Sequence, residues 1–510
     1  MSSVFTIENR FKKSYFLWLI FLLVLKAGIS LLLIAFYNVN LAPDEAQYWT
    51  WSQALDWGYY SKPPAIAWQI FLTTSFLGNN EFGIRFGAVL VSFFLPLVIF
   101  ATAQASELSP RASFWAGVVT AFSPLGIFLS FIASTDGGMM LFLSLGILAV
   151  VKGIYDDDGP NYPIVGGWIL LGALYKWTAF ILWPVTLFFL LFYPRLRKWS
   201  ILFGILISLC ALIPILYWNA GHDWATFRHV GRTVIHKAST HGSNFFDFFF
   251  AQIGLLSPVY WVLLILSYFY MRSKSVIYCA AFPFLLVVYF IMALVKHMQP
   301  NWAAFLYPVA SIPIAWYSIE KIRSGRIWLH LGTWLAVLFS TFAIAIPLMQ
   351  EQNFWSALPI PYKANPFRQN VGWSNLPKLL EQSGYNPKTD FLFGDKYQTA
   401  SLLSFYAPTK KLAYFFNLNG DRKNQFSYWE KMESREIGNT GFFVVVENTK
   451  EEALFWYRDH YLKKLKPYFA KIEFLGASPL FSAYKKPVKF AMIFKCLHYG
   501  GEAPQDPEKY

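Results

Sequence analysis

The chain has 510 residues, of which 56% are hydrophobic and only 14% are charged, with a net charge of +14 at pH 7. A typical soluble domain is about a quarter charged, so this composition argues against a soluble enzyme, and the apolar content excludes a disordered chain. The apolar residues fall in long blocks that stop near position 350. Three cysteines cannot form a disulfide framework, so we expect Cys210, Cys279 and Cys496 to be unpaired thiols.

About eleven apolar blocks predict membrane-spanning helices, since a span needs about 20 mostly apolar residues. In chain order they are 14–37, 82–103, 111–132, 135–153, 162–178, 178–195, 199–219, 251–271, 275–295, 300–320 and 327–349. Pro184 and the glycines Gly166, Gly167 and Gly172 favour two elements rather than one long helix over 162–195. The first block lacks a small-residue cleavage site, which indicates a signal anchor rather than a removable signal peptide.

Basic residues on alternate loops predict the orientation of these spans. With a cytoplasmic N-terminus, every short inner loop carries a cation, as the positive-inside bias requires. The cations concerned are Arg111, Lys152, Arg195, Arg197, Lys198, Arg272, Lys274, Lys321, Arg323 and Arg326. The outer side then receives loop 38–81, the turn at 133–136, loop 220–250 and everything after residue 350.

The composition changes after residue 350, where polar residues alternate with short β-rich runs such as 390–393 and 442–447. We therefore predict a mostly α, polytopic membrane protein with a transmembrane domain at 1–349, which includes the first outer loop, 38–81. A soluble α/β domain at 350–510 follows on the outer face.

Isolated carboxylates mark this outer face. Asp44 and Glu45 are adjacent in the first outer loop and follow Pro43, which can begin a short helix whose positive end favours acids. Asp136 lies where the third and fourth spans end, and acids at membrane depth are usually functional. The simpler interpretations are a solvated juxtamembrane helix for the first pair and an Asx turn or helix cap for Asp136.

Cations gather on the same predicted face. Lys62 lies in the first outer loop, and Lys176 interrupts an apolar run at a cost of roughly 2.5–3.5 kcal/mol at mid-bilayer unless it snorkels to the interface. A later loop adds Lys296 and His297. Loop 220–250 adds a basic set: His222, Arg228, His229, Arg232, His236, Lys237 and His241.

Carboxylates beside cations suit an anionic, membrane-borne substrate. The cations would hold a phosphate, and a carboxylate would take the proton of an acceptor hydroxyl. The histidines have no zinc-like spacing, so a divalent metal is a minor possibility that we do not predict. The sequence has no P-loop or GxGxxG motif for a nucleotide, which fits a site facing away from the cytoplasm.

The chain resembles the polyprenyl-phosphate-dependent GT-C glycosyltransferases, and in particular the protein mannosyltransferase-like and lipid A aminoarabinose transferase-like bacterial group. The run PDEAQY at 43–48 resembles the PDE-x-x-Y signature of that group's first loop, and YYSKP at 59–63 resembles Y-x-E-K-P. Arg85, Asp136, GALYK at 172–176 and PNW at 300–302 fit the group at later positions, and 395–429 resembles its C-terminal module.

The resemblance implies a GT-C fold and a sugar donor on polyprenyl (undecaprenyl) phosphate, used at the periplasmic face of a bacterial inner membrane without nucleic acid or a firmly implied cofactor. Asp44 would be the general base, with Glu45 and Asp136 as further catalytic acids. The donor-phosphate group would comprise Lys62, Lys176 and Arg85, the last by ordering the loop. The expected substrate-binding residues are Tyr48, Tyr59, Tyr60, Lys296, His297 and Arg232.

Two departures bear on the substrates. Ser61 stands where the group has an acid, and Gln47 stands where the aminoarabinose enzymes have an arginine, so we expect a different sugar or acceptor. Lipid A or lipopolysaccharide, another glycolipid and a protein hydroxyl are all open as acceptors. Two other hypotheses are a lipid-linked sugar flippase or transporter, which would favour midplane charges and internal repeats, and a non-catalytic envelope assembly subunit.

Overall fold

A computed structural model describes residues 2–37, 39–235, 243–449 and 451–504, with side chains described from residue 13 onward except at 233–235. The helices are α1 (Ser2–Phe36), α2 (Pro43–Gln53), α3 (Ala65–Leu77), α4 (Glu81–Ala105), α5 (Pro110–Phe122), α6 (Pro124–Phe128), α7 (Thr135–Tyr155), α8 (Tyr162–Ala173), α9 (Leu182–Phe189), α10 (Ser200–Leu209), α11 (Leu212–Ala220), α12 (Ala225–Ile235), α13 (Phe245–Leu256), α14 (Pro258–Tyr268), α15 (Lys274–Phe284), α16 (Leu286–Val295), α17 (Tyr307–Trp316), α18 (Gly325–Glu351), α19 (Leu376–Gln382), α20 (Tyr397–Tyr406) and α21 (Leu454–Leu465). The strands are β1 (Phe391–Gly394), β2 (Tyr414–Phe415), β3 (Gly441–Glu447), β4 (Phe469–Ala483) and β5 (Lys486–Tyr499).

The protein is a mostly helical, polytopic membrane protein. Within the described ranges, seven helices are long and apolar enough to cross a membrane: Lys13–Phe36, Glu81–Ala105, Thr135–Tyr155, Ser200–Ala220, Lys274–Val295, Pro300–Lys321 and Gly325–Glu351. Each coincides with a predicted block. An eighth candidate, α13 with α14, is bent by 93°. The predicted count of about eleven spans is therefore too high, because the remaining blocks form shorter helices.

Local sequence explains why those blocks are interrupted. The predicted span at 111–132 divides into α5 and α6 at Ser123, whose hydroxyl accepts a hydrogen bond from Gly126 N at 3.2 Å. Pro124 begins α6, and a Cβ at Gly126 would lie 1.9 Å from the carbonyl oxygen of Thr120. At the bent pair, Ser257 adopts φ 91° before Pro258. Hydropathy alone does not register such breaks, because capping and proline geometry leave the apolar content unchanged.

The predicted pair of elements over 162–195 is confirmed, but both are short. α8 ends at Ala173, and a second apolar helical stretch covers Trp177–Phe189. The carbonyl oxygen of Gly172 accepts hydrogen bonds from Tyr175 N and Lys176 N, each at 3.0 Å. This turn therefore holds Lys176 between the two helices.

The C-terminal region contains a five-stranded mixed sheet in the order β2-β1-β3-β5-β4. β1 is parallel to both β2 and β3, whereas β5 runs antiparallel to β3 and to β4. Phe391 pairs with Gly441, and Gly441 pairs with Cys496, which sets the register of the three central strands. The predicted mixture of helices and strands after residue 350 is confirmed.

One hydrophobic core joins the first loop to this sheet. Trp49 and Ile66, from α2 and α3, belong to the same buried cluster as Leu402 and Phe405 of α20 and Val444 of β3. The opposite face of the sheet packs in a separate cluster with α21. The three cysteines are free thiols, as predicted, with Cys279 and Cys496 buried and Cys210 exposed.

Candidate active site

A buried ion pair anchors the start of the first loop. The Arg85 guanidinium donates to both Glu45 carboxylate oxygens, with Nε to Oε1 at 3.0 Å and Nη2 to Oε2 at 2.7 Å. Ala42 N and Ala133 N also donate to Glu45, each at 2.9 Å. Arg85 further donates to the carbonyl oxygens of Val39 and Asn40. Glu45 and Arg85 therefore tie three segments together.

This geometry separates Glu45 and Arg85 from the other predicted site residues. The side chains of the pair are 0% and 3% exposed, respectively, and four hydrogen bonds occupy the Glu45 oxygens. A carboxylate so engaged is a poor proton acceptor, and a guanidinium so engaged is poorly placed to meet a lipid phosphate. The structure places both residues as the support of the loop that carries Asp44.

Asp44 has the opposite environment from its neighbour. Its side chain is exposed and, within the described ranges, makes no hydrogen bond or ion pair, although the surrounding protein desolvates it. We refer to the region bounded by Asp44, Lys62, Asp136 and Lys176 as the recess. Burial in that recess raises the pKa of the Asp44 carboxyl above its ordinary value, and the negative charges of Glu45 and Asp136 raise it further. The positive charges of Lys62 and Arg422 oppose this rise in pKa.

A second ion pair lies beside Asp44. Lys176 Nζ donates to Asp136 Oδ1 at 2.6 Å, and Asn301 Nδ2 donates to Asp136 Oδ2 at 3.2 Å. The lysine side chain is 15% exposed and the aspartate side chain 12%, so the pair is largely shielded from solvent. The structure thus brings together residues from α7, the turn after α8 and the segment before α17.

Lys62 completes the group of charges around the recess. A backbone bridge holds it, with Tyr59 N donating to Lys62 O at 3.1 Å and Lys62 N to Tyr59 O at 3.3 Å. Its ammonium makes no hydrogen bond or ion pair within the described ranges. Burial lowers the pKa of Lys62 and the charge of Lys176 lowers it further, whereas Asp136 and Asp44 raise it. The charge of Lys62 therefore interacts with the charges of Lys176, Asp136 and Asp44.

The predicted aromatic residues line or support the recess. Tyr48 is buried, and burial raises its pKa, to which the charges of Asp44 and Asp136 add. Tyr59 is fully buried, stacks on Trp51 at 4.6 Å between ring centroids and donates to the carbonyl oxygen of Trp51 at 3.0 Å. That arrangement makes Tyr59 a supporting residue of the loop. The backbone N of Tyr60 donates to Gln425 Oε1 at 2.7 Å.

Sequence reasoning missed two residues that the C-terminal region contributes. Arg422 lies over the rings of Tyr60 and Tyr397, at 5.7 and 5.8 Å, and donates to His229 Nδ1 at 3.4 Å. No carboxylate forms an ion pair with Arg422 in the described part of the chain. The Asp44 charge adds to the rise that burial causes in the Tyr397 pKa. Both residues fall in the stretch 395–429 that resembles a family module, which was the available signal.

The remaining predicted residues lie on neighbouring segments of the chain. Lys296 is half-buried and His297 is exposed, and both follow α16 a few residues before Asn301. Arg232 is exposed on α12, whose His229 contacts Arg422. His236, Lys237 and His241 lie outside the described residues. In the part of the chain that the structure describes, no three His, Cys, Asp or Glu side chains cluster as metal ligands would.

Comparisons with known proteins agree with the predicted family. The model of a family described as "Dolichyl-phosphate-mannose-protein mannosyltransferase" matches residues 61–218. The lipid A galacturonosyltransferase RgtD of Rhizobium johnstonii is 29% identical over 311 residues, which cover 58% of this chain and 64% of that protein. The undecaprenyl phosphate-alpha-4-amino-4-deoxy-L-arabinose arabinosyl transferase of Pseudomonas aeruginosa strain UCBPP-PA14 is 30% identical over 217 residues, 37% of this chain and 39% of that protein.

The fold comparison extends over nearly the whole chain. The crystal structure of ArnT from Cupriavidus metallidurans bound to undecaprenyl phosphate superposes with a TM-score of 0.62 at 13% identity, covering 92% of this chain and 97% of that chain. The chain shares its fold with that structure, whereas its sequence matches span less than two thirds of either curated relative. Residues 61–218 thus match the protein mannosyltransferase family, and the chain is similar in sequence to two bacterial glycosyltransferases over part of its length. It is similar in fold to ArnT and in sequence to RgtD.

Proposed function

We propose that this protein is a membrane glycosyltransferase that moves a sugar from a polyprenyl (undecaprenyl) phosphate donor to an envelope acceptor of the lipid A type. The observation that carries the proposal is Asp44, an unpaired carboxylate in a recess that also holds Lys62 and the Lys176–Asp136 pair. The names of the relatives support the donor and acceptor classes, since one name gives an undecaprenyl phosphate sugar as the donor and another gives lipid A as the acceptor.

Asp44 is the general base in this proposal. A base works best when its pKa lies near the operating pH, and burial shifts the pKa of Asp44 upward from that of an ordinary carboxyl. Asp44 takes the proton of the acceptor hydroxyl as that oxygen forms a bond to the anomeric carbon of the sugar. General-base catalysis of this kind contributes about 10²–10⁴-fold to the rate.

Lys62 and Lys176 hold the donor phosphate. The bond between the anomeric carbon and the phosphate oxygen breaks, its electron pair stays on the phosphate, and the nearby ammonium groups stabilise that charge. Asp136 orients Lys176 by accepting its hydrogen bond, and Asn301 in turn donates to the other oxygen of Asp136. One displacement with the base on the opposite face of the sugar predicts inversion at the anomeric carbon, by analogy with single-step glycosidases.

The orientation and the domain limits belong to the same proposal. The inner-loop cations favour a cytoplasmic N-terminus in the bacterial inner membrane, with the recess and the region from 350 to 510 in the periplasm. The donor would then reach the site within the membrane, without a nucleotide. The transmembrane domain covers 1–349 in this proposal.

The test compares two carboxylate variants of the first loop in reconstituted protein. Asp44→Asn should lower transfer from a radiolabelled polyprenyl-phosphate sugar to lipid A by about 10²–10⁴-fold while donor binding persists. Asp56→Asn is the matched control, because Asp56 caps the backbone of Trp57 at the far end of α2 and stays able to accept that bond. Undiminished turnover by a folded Asp44→Asn protein would overturn the proposal. Movement of labelled lipid across the bilayer without any transfer would favour a flippase instead.

A further inference from the structure

A cavity of about 660 Å³ lies in the C-terminal region beside the edge strand β2. We refer to it as the β2 cavity; its lining includes Tyr414, Trp429, Lys388, Lys411, Glu433 and Glu436. Its volume falls within the range of about 300–1,000 Å³ that is usual for small-molecule sites. None of these residues belongs to the recess around Asp44.

The charges of the β2 cavity balance. Four basic and four acidic side chains line it, so it offers no net attraction to a phosphate or another anion. Several are already engaged: Glu436 accepts from the Tyr414 hydroxyl at 2.9 Å, and Lys411 Nζ donates to Pro387 O at 3.2 Å. Across the described ranges, the Lys388 ammonium and the Glu433 carboxylate make no hydrogen bond or ion pair. Both are therefore available to a ligand with donors and acceptors.

Aromatic rings supply the other half of the lining. Trp429 and Tyr414 are half-buried, and Trp429 packs edge-on against Phe426 at 5.2 Å between centroids. A half-buried indole presents a flat apolar face that a ligand can cover. Flat apolar faces beside uncommitted polar groups match a sugar ring, which has C–H faces and a rim of hydroxyls that both donate and accept hydrogen bonds.

The β2 cavity is connected to the recess through one loop and one helix. The loop 416–429 lines the cavity at both of its ends, through Asn417 and Trp429, while Arg422 in its middle lies over Tyr60. α2 carries Asp44 in its first turn, and Ala54, which caps its end, lines the cavity. A rise of about 1.5 Å per residue places the two ends about 15 Å apart. A glycan could extend from one site to the other.

We infer that the β2 cavity binds an uncharged oligosaccharide segment of the acceptor, a few sugar units from the position that receives the new sugar. The assignment of this glycan to the acceptor rests on the proposed function, whereas the binding of a glycan in the cavity does not. An acceptor held there contacts the loop that carries Arg422. The cavity therefore selects acceptors with an extended glycan over shorter ones.

Binding is measured with full-length Asp44→Asn protein in nanodiscs, so that no turnover occurs. The probe is core oligosaccharide released from lipopolysaccharide by mild acid, with and without phosphatase treatment, followed by saturation-transfer NMR and calorimetry. Both forms should bind equally, and Trp429→Ala should weaken binding by about tenfold or more, since the indole face is lost. Glu433→Gln, which keeps the shape of the side chain, should weaken it several-fold. Trp456→Ala, at an exposed indole on α21 outside the cavity, should leave it unchanged.

Three outcomes would overturn the inference: binding of neither probe, binding of the phosphorylated form alone, or binding by both the Trp429→Ala and the Glu433→Gln proteins that is as tight as binding by the parent protein. A kinetic arm tests the link to the acceptor in protein that retains Asp44. Glu433→Gln should raise KM for an acceptor that carries core sugars and leave KM unchanged for one without them. Equal KM changes for both acceptors would contradict the acceptor assignment. Loss of transfer by Asp44→Asn is a separate readout, so the two proposals can fail independently.

Discussion

Replacing Arg85 by methionine should destabilise the protein far more than the loss of an ordinary surface ion pair. The substitution keeps an apolar side chain of similar length but leaves the Glu45 carboxylate with only two of its four hydrogen bonds, those from Ala42 N and Ala133 N. It also removes the hydrogen bonds from Arg85 to the carbonyl oxygens of Val39 and Asn40, of which, among the described residues, only the Asn40 oxygen keeps a partner, Asn370. The variant thus leaves a buried, under-compensated negative charge next to Asp44.

The magnitude follows from the burial of the pair. With side-chain exposures of 3% and 0%, solvent cannot replace the missing guanidinium, and breaking such a pair costs about 3–5 kcal/mol of unfolding free energy. The pair between Arg195 and Asp157 is the natural control, because its side chains are 48% and 92% exposed. Arg195→Met should cost no more than about 1 kcal/mol.

The assay is unfolding of the detergent-solubilised protein in mixed micelles, followed with a thiol-reactive fluorophore. In a Cys210→Ser background, which removes the exposed thiol, the buried Cys279 and Cys496 should react only when the chain opens. The double variant Glu45→Gln with Arg85→Met removes the uncompensated charge, so it should be more stable than Arg85→Met alone. Equal stability losses for Arg85→Met and Arg195→Met, or a double variant at least as unstable as Arg85→Met, would refute the reasoning.

Three further predictions concern titration and the donor site. The rate of transfer should rise with pH through the raised pKa of Asp44, since only the ionised carboxylate accepts a proton. Arg422→Gln should move that rise to higher pH, because the arginine charge lowers the pKa of Asp44. A pH–rate profile of each protein measures both effects. Burial lowers the pKa of Lys489 to about 7, so between about pH 7 and 10 the unfolded chain binds more protons than the folded protein. The free energy of unfolding should therefore increase with pH across that range. The Lys489→Met protein should show no such increase, as measured by denaturation curves at several pH values. Lys176→Met should weaken binding of polyprenyl phosphate by about tenfold or more, measured by calorimetry, whereas the exposed Lys363→Met should not.

Hydropathy identified the seven long spans because membrane burial depends on composition within a single segment. It did not find the divisions at Ser123 and Ser257, because these depend on capping and backbone geometry rather than on apolar content. Topology alone brought Asp44, Asp136 and Lys176 to one face. The contrasting environments of Asp44 and Glu45 could not be predicted, since neighbours on a helix point about 100° apart and only packing decides which one meets Arg85.

Arg422 illustrates a second limit of sequence reasoning. Its neighbours Tyr60 and His229 lie far away along the chain, and no local spacing relates them. An isolated arginine in a polar loop has the same pattern as any solvated cation. The contact arises only when the sheet packs on the first loop, which requires the tertiary structure.

The hydrophobic cluster shared by α2, α3, α20 and β3 makes the boundary near residue 350 a feature of connectivity rather than of folding. Cutting the chain there would strip the cover from Trp49 and Ile66 on one fragment and from Phe405 and Val444 on the other. Neither fragment is expected to fold natively alone, and in the intact protein the two parts should unfold in one cooperative transition. Exchange of the C-terminal module between relatives would therefore require matched changes in the first loop, so the two segments are constrained to evolve together.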